Sequence, residues 1–435
     1  TTLFRSRSLE EFWRNWTVKQ IKSSFKIVFA AFLSLFWINT NAQYSPFIEE
    51  ALSAMDSIEI SLLTCGPGDE VYSYYGHTAI RYHDLRKGSD LAINYGVFSF
   101  EQEYFIPRFV FGITDYEMGI FPMDLILKEY QYDNRWIIQQ DLSLTNQEKL
   151  LISRDIYENY QPQNRIYRYN YFYDNCTTRA RDILLKHLNA EVENGIVPEN
   201  GNSYRSMIHQ WTENHPWARF GNDLLLGIKA DFPTSISAKE FLPDSLRNLF
   251  DKLVIKENGT SRRLVKNKFF LLPPQKLNKE TTLTESFWGK ITPRIAMGLV
   301  LLLTVIITLI EIKTKRIYWL VDLLLFLTTG VAGIVLLLMV FSQHPTVSVN
   351  LQILILNPLS LFFLYPVVKA ARRHVLHVYW KILLAFDIIF LIGGLFQCYA
   401  EGMYFIALAI LIRCMVYILR NPTLSSYGIG FSVRG

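Results

Sequence analysis

The chain changes its hydrophobic rhythm near residue 294: before it, short apolar alternations are interleaved with charges and turn residues, and after it long apolar runs are broken only by short polar loops. In the first part, period-2 stretches predict strands at about 56–65, 77–83, 91–99, 136–144 and 164–173, and 3.6-residue patterns predict helices at about 69–75, 145–160 and 176–189. Thr145 and Glu148 read as a capping box opening the second of these helices, and Pro162 closes it. Within 164–173, Tyr167, Tyr169, Tyr171 and Tyr173 alternate with Ile166, Arg168, Asn170 and Phe172, an aromatic stripe that reads as core packing before it reads as a ligand box. After Cys176, the positions Ala180, Ile183, Leu184 and Leu188 form one apolar helical face. This part of the chain is expected to be an α+β domain.

The second part predicts five membrane spans, at about 294–311, 317–341, 346–368, 381–399 and 402–419. If the α+β domain is exported, the first span runs inward. Lys313, Lys315, Arg316, Lys369, Arg372, Arg373, Lys381 and Arg420 then all fall on the cytoplasmic side, and the outer loops around 342–346 and 397–401 contain no Lys or Arg. Three charged residues lie inside the spans, at a depth of about 10 Å for a rise of about 1.5 Å per residue. A charge so placed faces protein and takes a partner, so Arg413 is expected to form a structural ion pair with Asp387 or Asp322. Near the outer end of the third span, His344, Asn350, Gln352 and Asn357 are candidates for contact with a lipid headgroup or substrate; hydrogen bonds between helices are the other reading.

Composition agrees with a membrane part: half the 435 residues are hydrophobic and 19% are charged. The net charge of +5 is accounted for by the cytoplasmic lysines and arginines, so nothing in it calls for a nucleic-acid partner. At the N-terminal end, Lys22 and Lys26 precede the apolar run Ile27–Ile38 and the small-residue site Thr40-Asn41-Ala42, the layout of an export signal. Val18 stands where a start residue would give such a signal its ordinary length, so residues 1–17 read as an upstream extension. The expected layout is extension and signal at 1–42, exported domain at 43–254, linker at 255–293, membrane domain at 294–420 and cytoplasmic tail at 421–435.

Chemistry concentrates at YFYDNCTTRARDILL, residues 171–185. With Asp174 or Asn175 as the cap, Cys176 falls in the first turn of a helix, where unpaired N–H groups and the helix dipole favour a thiolate and can stabilise an oxyanion. A nucleophilic thiol needs a base, and of the histidines His77 is set apart. It stands in YSYYGHTAIRYHD, where a glycine leads into an alternating strand that would present an imidazole at a rigid edge. His374 and His377 fall in a basic loop, His187 lies three turns along the cysteine helix, and His209 and His215 sit in a Trp-rich stretch that reads as packing. The close pairs His374–His377 and His209–His215 bring no ligand pattern, so no metal and no cofactor is expected.

Taken together, GHTAIRY and, 99 residues after its histidine, DNCTT resemble the circularly permuted NlpC-type branch of papain-like cysteine enzymes, to which lecithin:retinol acyltransferase-like proteins belong. More closely, LLTCGPGDEVYSYYGHTAIRY, INYGVFSF, NRIYRYNYFYDNCTTRARD and FSQHPTVSVNLQILILNPLSL resemble the Lnb family of bacterial lipoprotein N-acyltransferases, from about residue 55 to about 420. The resemblance implies a permuted papain-like exported domain on the outer, periplasmic side of a multi-pass inner-membrane protein. It implies Cys176 as nucleophile and His77 as base, acting on a membrane-lipid acyl donor and a diacylated lipoprotein acceptor. Asn94 on the next strand is the choice for an orienting residue, and Asn175, Thr177 and Tyr75 for support of the site and its oxyanion. Two other readings stand beside it: a tethered cysteine amidase or peptidase acting on cell-wall peptides, and a non-catalytic scaffold in which Cys176 is bridged to Cys65.

Overall fold

The computed structural model describes residues 46–98, 103–193, 202–235, 239–257, 259–274 and 291–420. The expected extension and signal (1–42), most of the expected linker beyond residue 274 and the tail (421–435) lie outside the described residues. The chain divides into two compact units, one of Thr1–Glu103, Thr114–Asn200 and Ser235–Leu277, the other of Tyr104–Ile113, Gly201–Thr234 and Asn278–Gly435.

The first unit is built on strands β1 (Ile58–Cys65), β2 (His77–Asp84), β3 (Ser89–Val97), β4 (Asp115–Pro122), β5 (Ile137–Leu142), β6 (Ile166–Arg168), β7 (Ala190–Val192), β8 (Leu253–Glu257), β9 (Thr260–Arg263) and β10 (Val265–Leu272). Seven of them form one sheet in the order β10-β5-β1-β2-β3-β4-β6, every neighbouring pair antiparallel. In the run IEISLLTC of β1, Glu59 is exposed and every other position is buried, because both faces of the strand are covered beyond its start. Ile60 and Leu62 pack with Ile80, Ile93, Ile152, Ile156, Ala180, Leu184 and Leu246, beneath the helices Asn146–Tyr160, Cys176–Leu185 and Pro243–Phe250. Leu63 and Cys65 face the opposite way, toward Ala79, Ala92, Met123, Ile126 and Tyr130 and the helix Met123–Tyr132. Each such aliphatic side chain withdrawn from water contributes about 1.5–3 kcal/mol. β7, β8 and β9 make a separate three-stranded sheet.

The capping box at Thr145 is present in full: its hydroxyl accepts from Glu148 N–H at 3.2 Å, and the Glu148 carboxylate accepts from Thr145 N–H at 2.7 Å. Elsewhere the alternation misleads. The stretch 69–75 holds one 3-10 turn, Val71–Ser73, instead of a helix. The aromatic run 164–173 is a strand only over Ile166–Arg168, because Asn170 and Asp174 exchange backbone hydrogen bonds of 2.9 Å and close a tight loop leading into the cysteine helix. The stretch read as a linker from residue 255 forms β8–β10 as far as Leu272. β10 is an edge strand, and its Lys266 and Lys268 have the exposed, charged character that edges carry.

In the second unit, helices occupy each of the five windows read as spans. Pro293–Thr314 and Trp319–Val340 are long and apolar enough to cross a membrane. The third window is broken into a 3-10 turn at Leu351–Leu354 and the helices Leu359–Phe362 and Leu364–Arg372, bent by 73°. Tyr379–Gly393 and Met403–Leu419 are shorter, at 15 and 17 residues, so among the described residues two helices are of spanning length, or three counting the bent pair. Gly330 and Gly333 let the broken segment approach: a Cβ at either would stand 2.5 Å from Leu361 or from Pro358 N.

Arg413 is fully buried and bonds Asp322 through Nε at 2.7 Å and Glu311 through Nη1 at 2.6 Å, and Tyr417 donates to Asp322 at 2.5 Å. Asp387 is not its partner; both of its carboxylate oxygens are buried with no hydrogen bond among the described residues. Sequence reading passed over Glu311 because it stands at the end of the first predicted span, where a carboxylate ordinarily meets water.

The segment 202–234 is folded upon itself by Arg205, which is 2% exposed and bonds Asp231 and Asp223, each at 2.8 Å, together with Leu226 O at 3.0 Å. The membrane-edge amides serve the same segment. Asn350 donates to Leu224 O at 2.8 Å and Gln352 to Asp223 O at 2.9 Å. Asn357 Oδ1 accepts from Leu359 N–H at 3.0 Å and starts the short helix that follows. These amides are therefore occupied inside the protein, whereas His344 is only partly buried and lies against Phe109 and Gly112.

Candidate active site

The helix that starts at Cys176 is held by an unusually complete cap. Asn175 Oδ1 accepts from the N–H groups of Thr177 and Thr178 at 2.9 and 3.0 Å, and Thr178 Oγ1 accepts from Asn175 N–H at 2.9 Å. The other end of the Asn175 amide donates to Tyr171 O and Phe241 O, each at 2.9 Å, so every polar atom of this buried side chain is used in positioning the helix. Cys176 takes the first helical position, and its own N–H has no acceptor among the described residues.

His77 arrives from the sheet. It is the first residue of β2, paired with Cys65 of β1, and Gly76 before it turns at φ +75°. A Cβ on Gly76 would stand 2.6 Å from Cys65 O, so only glycine allows the chain to enter β2 at this angle. Next along β2, the hydroxyl of Thr78 meets that of Thr177 at 3.0 Å and ties the strand to the start of the cysteine helix.

Three expected residues thus come together. His77 Nε2 donates to Asn94 Oδ1 at 2.6 Å, which leaves the other ring nitrogen for the thiol of Cys176. Burial alone would push the thiol up. The charge and hydrogen bond of His77 outweigh it, with help from the Thr78 backbone N–H and the Thr177 hydroxyl, and bring Cys176 down to about 7. His77 moves the opposite way: burial pulls its imidazolium down, and the Cys176 thiolate with the Asn94 oxygen more than offsets this and raises it. Each group thus favours the charged form of the other.

Of the residues read as support for the oxyanion, Asn175 and the Thr177 N–H are taken up by the cap, and Tyr75 packs edge-on against Tyr171 at 5.4 Å. The N–H of Cys176 is the donor left at this helix end. Cys65 is also a free thiol, but burial pushes it up to about 12, which disfavours its thiolate. Sequence reading missed Gly96, which sits at φ +92° in a β3 bulge between Asn94 and Val97, beside both Cys176 and His77. Its position in INYGVFSF, two residues after Asn94, was the available signal.

This geometry predicts a pH profile. The rate of alkylation of Cys176 by iodoacetamide should rise with pH and level off above an inflection near 7. In His77→Ala the inflection should move to about 9 or higher, making alkylation at pH 6 about 100-fold slower. An inflection that stays near 7 would separate the two residues.

Two family models match the chain: the Lnb N-terminal periplasmic domain over residues 48–208 and the Lnb transmembrane domain over residues 284–422. Comparison with curated proteins and with solved structures gave no match. The two matched stretches follow one another as a sheet-rich domain and a helical domain, and the chain belongs to the Lnb family, a membrane protein with a periplasmic domain.

Proposed function

We propose that the protein is a lipoprotein N-acyltransferase, which moves an acyl chain from a membrane-lipid ester through a thioester on Cys176 to the α-amino group of a diacylated lipoprotein's N-terminal cysteine. Membership of the Lnb family makes lipoprotein processing at a membrane the general task. The observation that carries the finer reading is the Cys176 thiol, brought down to about 7 by a His77 ring that Asn94 holds in one tautomer.

The thiolate of Cys176 attacks the ester carbonyl carbon. The carbonyl oxygen becomes an oxyanion; as the tetrahedral intermediate collapses, the C–O bond to the lipid breaks and the leaving alkoxide takes the proton of His77, giving a thioester and a lysolipid. The acceptor's amine then attacks the thioester and loses its proton to His77. The C–S bond breaks, an amide remains, and the thiolate–imidazolium pair returns. Excluding water from the thioester is what separates transfer from hydrolysis, and a site at the surface of a lipid phase favours that.

In this reading the sheet domain is a permuted papain-like fold on the outer face of the cytoplasmic membrane, the helical domain crosses five times, and His344 remains available for a contact at the membrane edge. The test is mass spectrometry of lipopeptides from cells with and without the protein. Loss of one N-linked acyl chain on deletion is expected; identical lipopeptides would reject the transferase.

A further inference from the structure

Beside Cys176 lies a small space that the chain takes trouble to keep open. Gly96 holds φ +92° in the β3 bulge, and a methyl built on it would meet nothing closer than Cys176 Cβ at 3.7 Å, with His77 Cε1 and the Tyr167 hydroxyl both at 4.0 Å. The space therefore admits at least one heavy atom, and Cys176, His77 and the Tyr167 hydroxyl stand nearest to it.

The hydroxyls of Tyr95, Tyr167 and Tyr171 are all buried without a partner among the described residues, and that of Tyr167 is set apart by lying with Cys176 and His77 around Gly96. Tyr167 is 6% exposed, on β6, and its hydroxyl is buried with no hydrogen-bond partner among the described residues. Leaving such a group unpaired costs about 1–3 kcal/mol, a loss a fold rarely accepts at a position where phenylalanine would pack as well. The ring is also electrically prepared. The guanidinium of Arg179 lies 3.5 Å from its centroid, and Asp174 holds that guanidinium with two hydrogen bonds of 2.5 and 2.8 Å. A cation on the ring face draws electron density from the phenol and makes its O–H a stronger donor.

We infer that Tyr167 is a catalytic residue whose hydroxyl donates to the acyl carbonyl oxygen as that oxygen becomes negative, in the space Gly96 keeps open and together with the N–H of Cys176. Asp174 and Arg179 position the phenol and polarise it. The inference rests on the acyl-transfer reading: the oxygen concerned is that of the tetrahedral intermediate formed when the Cys176 thiolate adds to the ester, and it returns to a carbonyl when the C–O bond breaks. The orphaned hydroxyl of the resting protein finds its partner only in that intermediate, the differential binding that accelerates a chemical step.

The experiment uses the full chain in nanodiscs containing a phospholipid with a labelled acyl chain, and reads the acyl-thioester on Cys176 by intact-protein mass spectrometry. Tyr167→Phe removes one oxygen that bonds nothing in the resting fold, so thermal stability should be retained. Thioester formation should slow by about 10²–10³-fold, while iodoacetamide alkylation of Cys176 and its pH inflection near 7 stay as in the wild type. Arg179→Gln should give a smaller loss of the same kind. Unchanged thioester formation in Tyr167→Phe would overturn the assignment. So would a parallel fall in acylation and alkylation, because a packing role would harm both. If the wild-type protein takes up no acyl chain at all, the transferase reading fails, and this inference fails with it.

Discussion

Under the proposed acyl transfer, Cys176→Ser should reduce N-acylation of lipoproteins by at least about 10⁴-fold, since replacing the nucleophile of a cooperating constellation removes nearly all of its advantage. The serine fits the space, and the Asn175 cap does not depend on the side chain at 176, so the protein should accumulate in membranes at its ordinary level. What is lost is ionisation. A thiol brought down to about 7 is half thiolate at neutral pH, whereas a serine hydroxyl beside the same imidazole stays protonated until attack. The measurement is mass spectrometry of lipopeptides from cells whose only copy carries the substitution. Normal lipopeptides would remove Cys176 from the mechanism, and would leave no explanation for the arrangement of His77 and Asn94 around it.

Arg413→Leu should have the largest effect on stability. Glu311 and Asp322 are both fully buried and both bonded to this guanidinium, so leucine would leave carboxylates without a cation. Breaking a buried pair by removing one partner costs about 3–5 kcal/mol. In detergent the thermal midpoint of the purified protein should fall by several degrees or more, and its yield in membranes with it. Removing the acids as well, in Arg413→Leu with Glu311→Gln and Asp322→Asn, should recover part of the loss, because the neutral amides can be satisfied by each other and by Tyr417. A single Arg413→Leu variant as stable as the wild type would show that the carboxylates find other partners.

The sequence carried the site further than it carried the fold. Asp174-Asn175-Cys176 announced a helix start, because a capping residue and the end of an alternating run are both local signals. His77 was legible because glycine before a strand is local too. Asn94 could be proposed only by its place on the next strand, and its 2.6 Å bond to His77 depends on β2–β3 register, which is set by the pairing of Ala79 with Asn94. Tyr167 was read as core because alternation reports which face a side chain takes and says nothing of whether its hydroxyl is satisfied. β4 escaped notice because Gly119 and Pro122 blur DYEMGIFP, although pairing with β3 and β6 holds it as a strand. In the helical domain, Asp387 and Asp322 looked equivalent as partners for Arg413. Only helix rotation separates them, and apolar runs of this length do not record it.

Two stretches of the chain, Tyr104–Ile113 and Gly201–Thr234, interrupt the sheet domain in sequence yet belong to the compact helical unit. Cutting the chain after the last strand would therefore separate both stretches from the unit in which they are packed. The truncated chain would keep both stretches but lose Gln352, Asn350 and Gln397, which hold the backbone at Asp223, Leu224 and Leu226. A water-soluble form for crystallisation or screening has to be redesigned at these two insertions first, and transplanting the sheet domain onto another anchor meets the same obstacle.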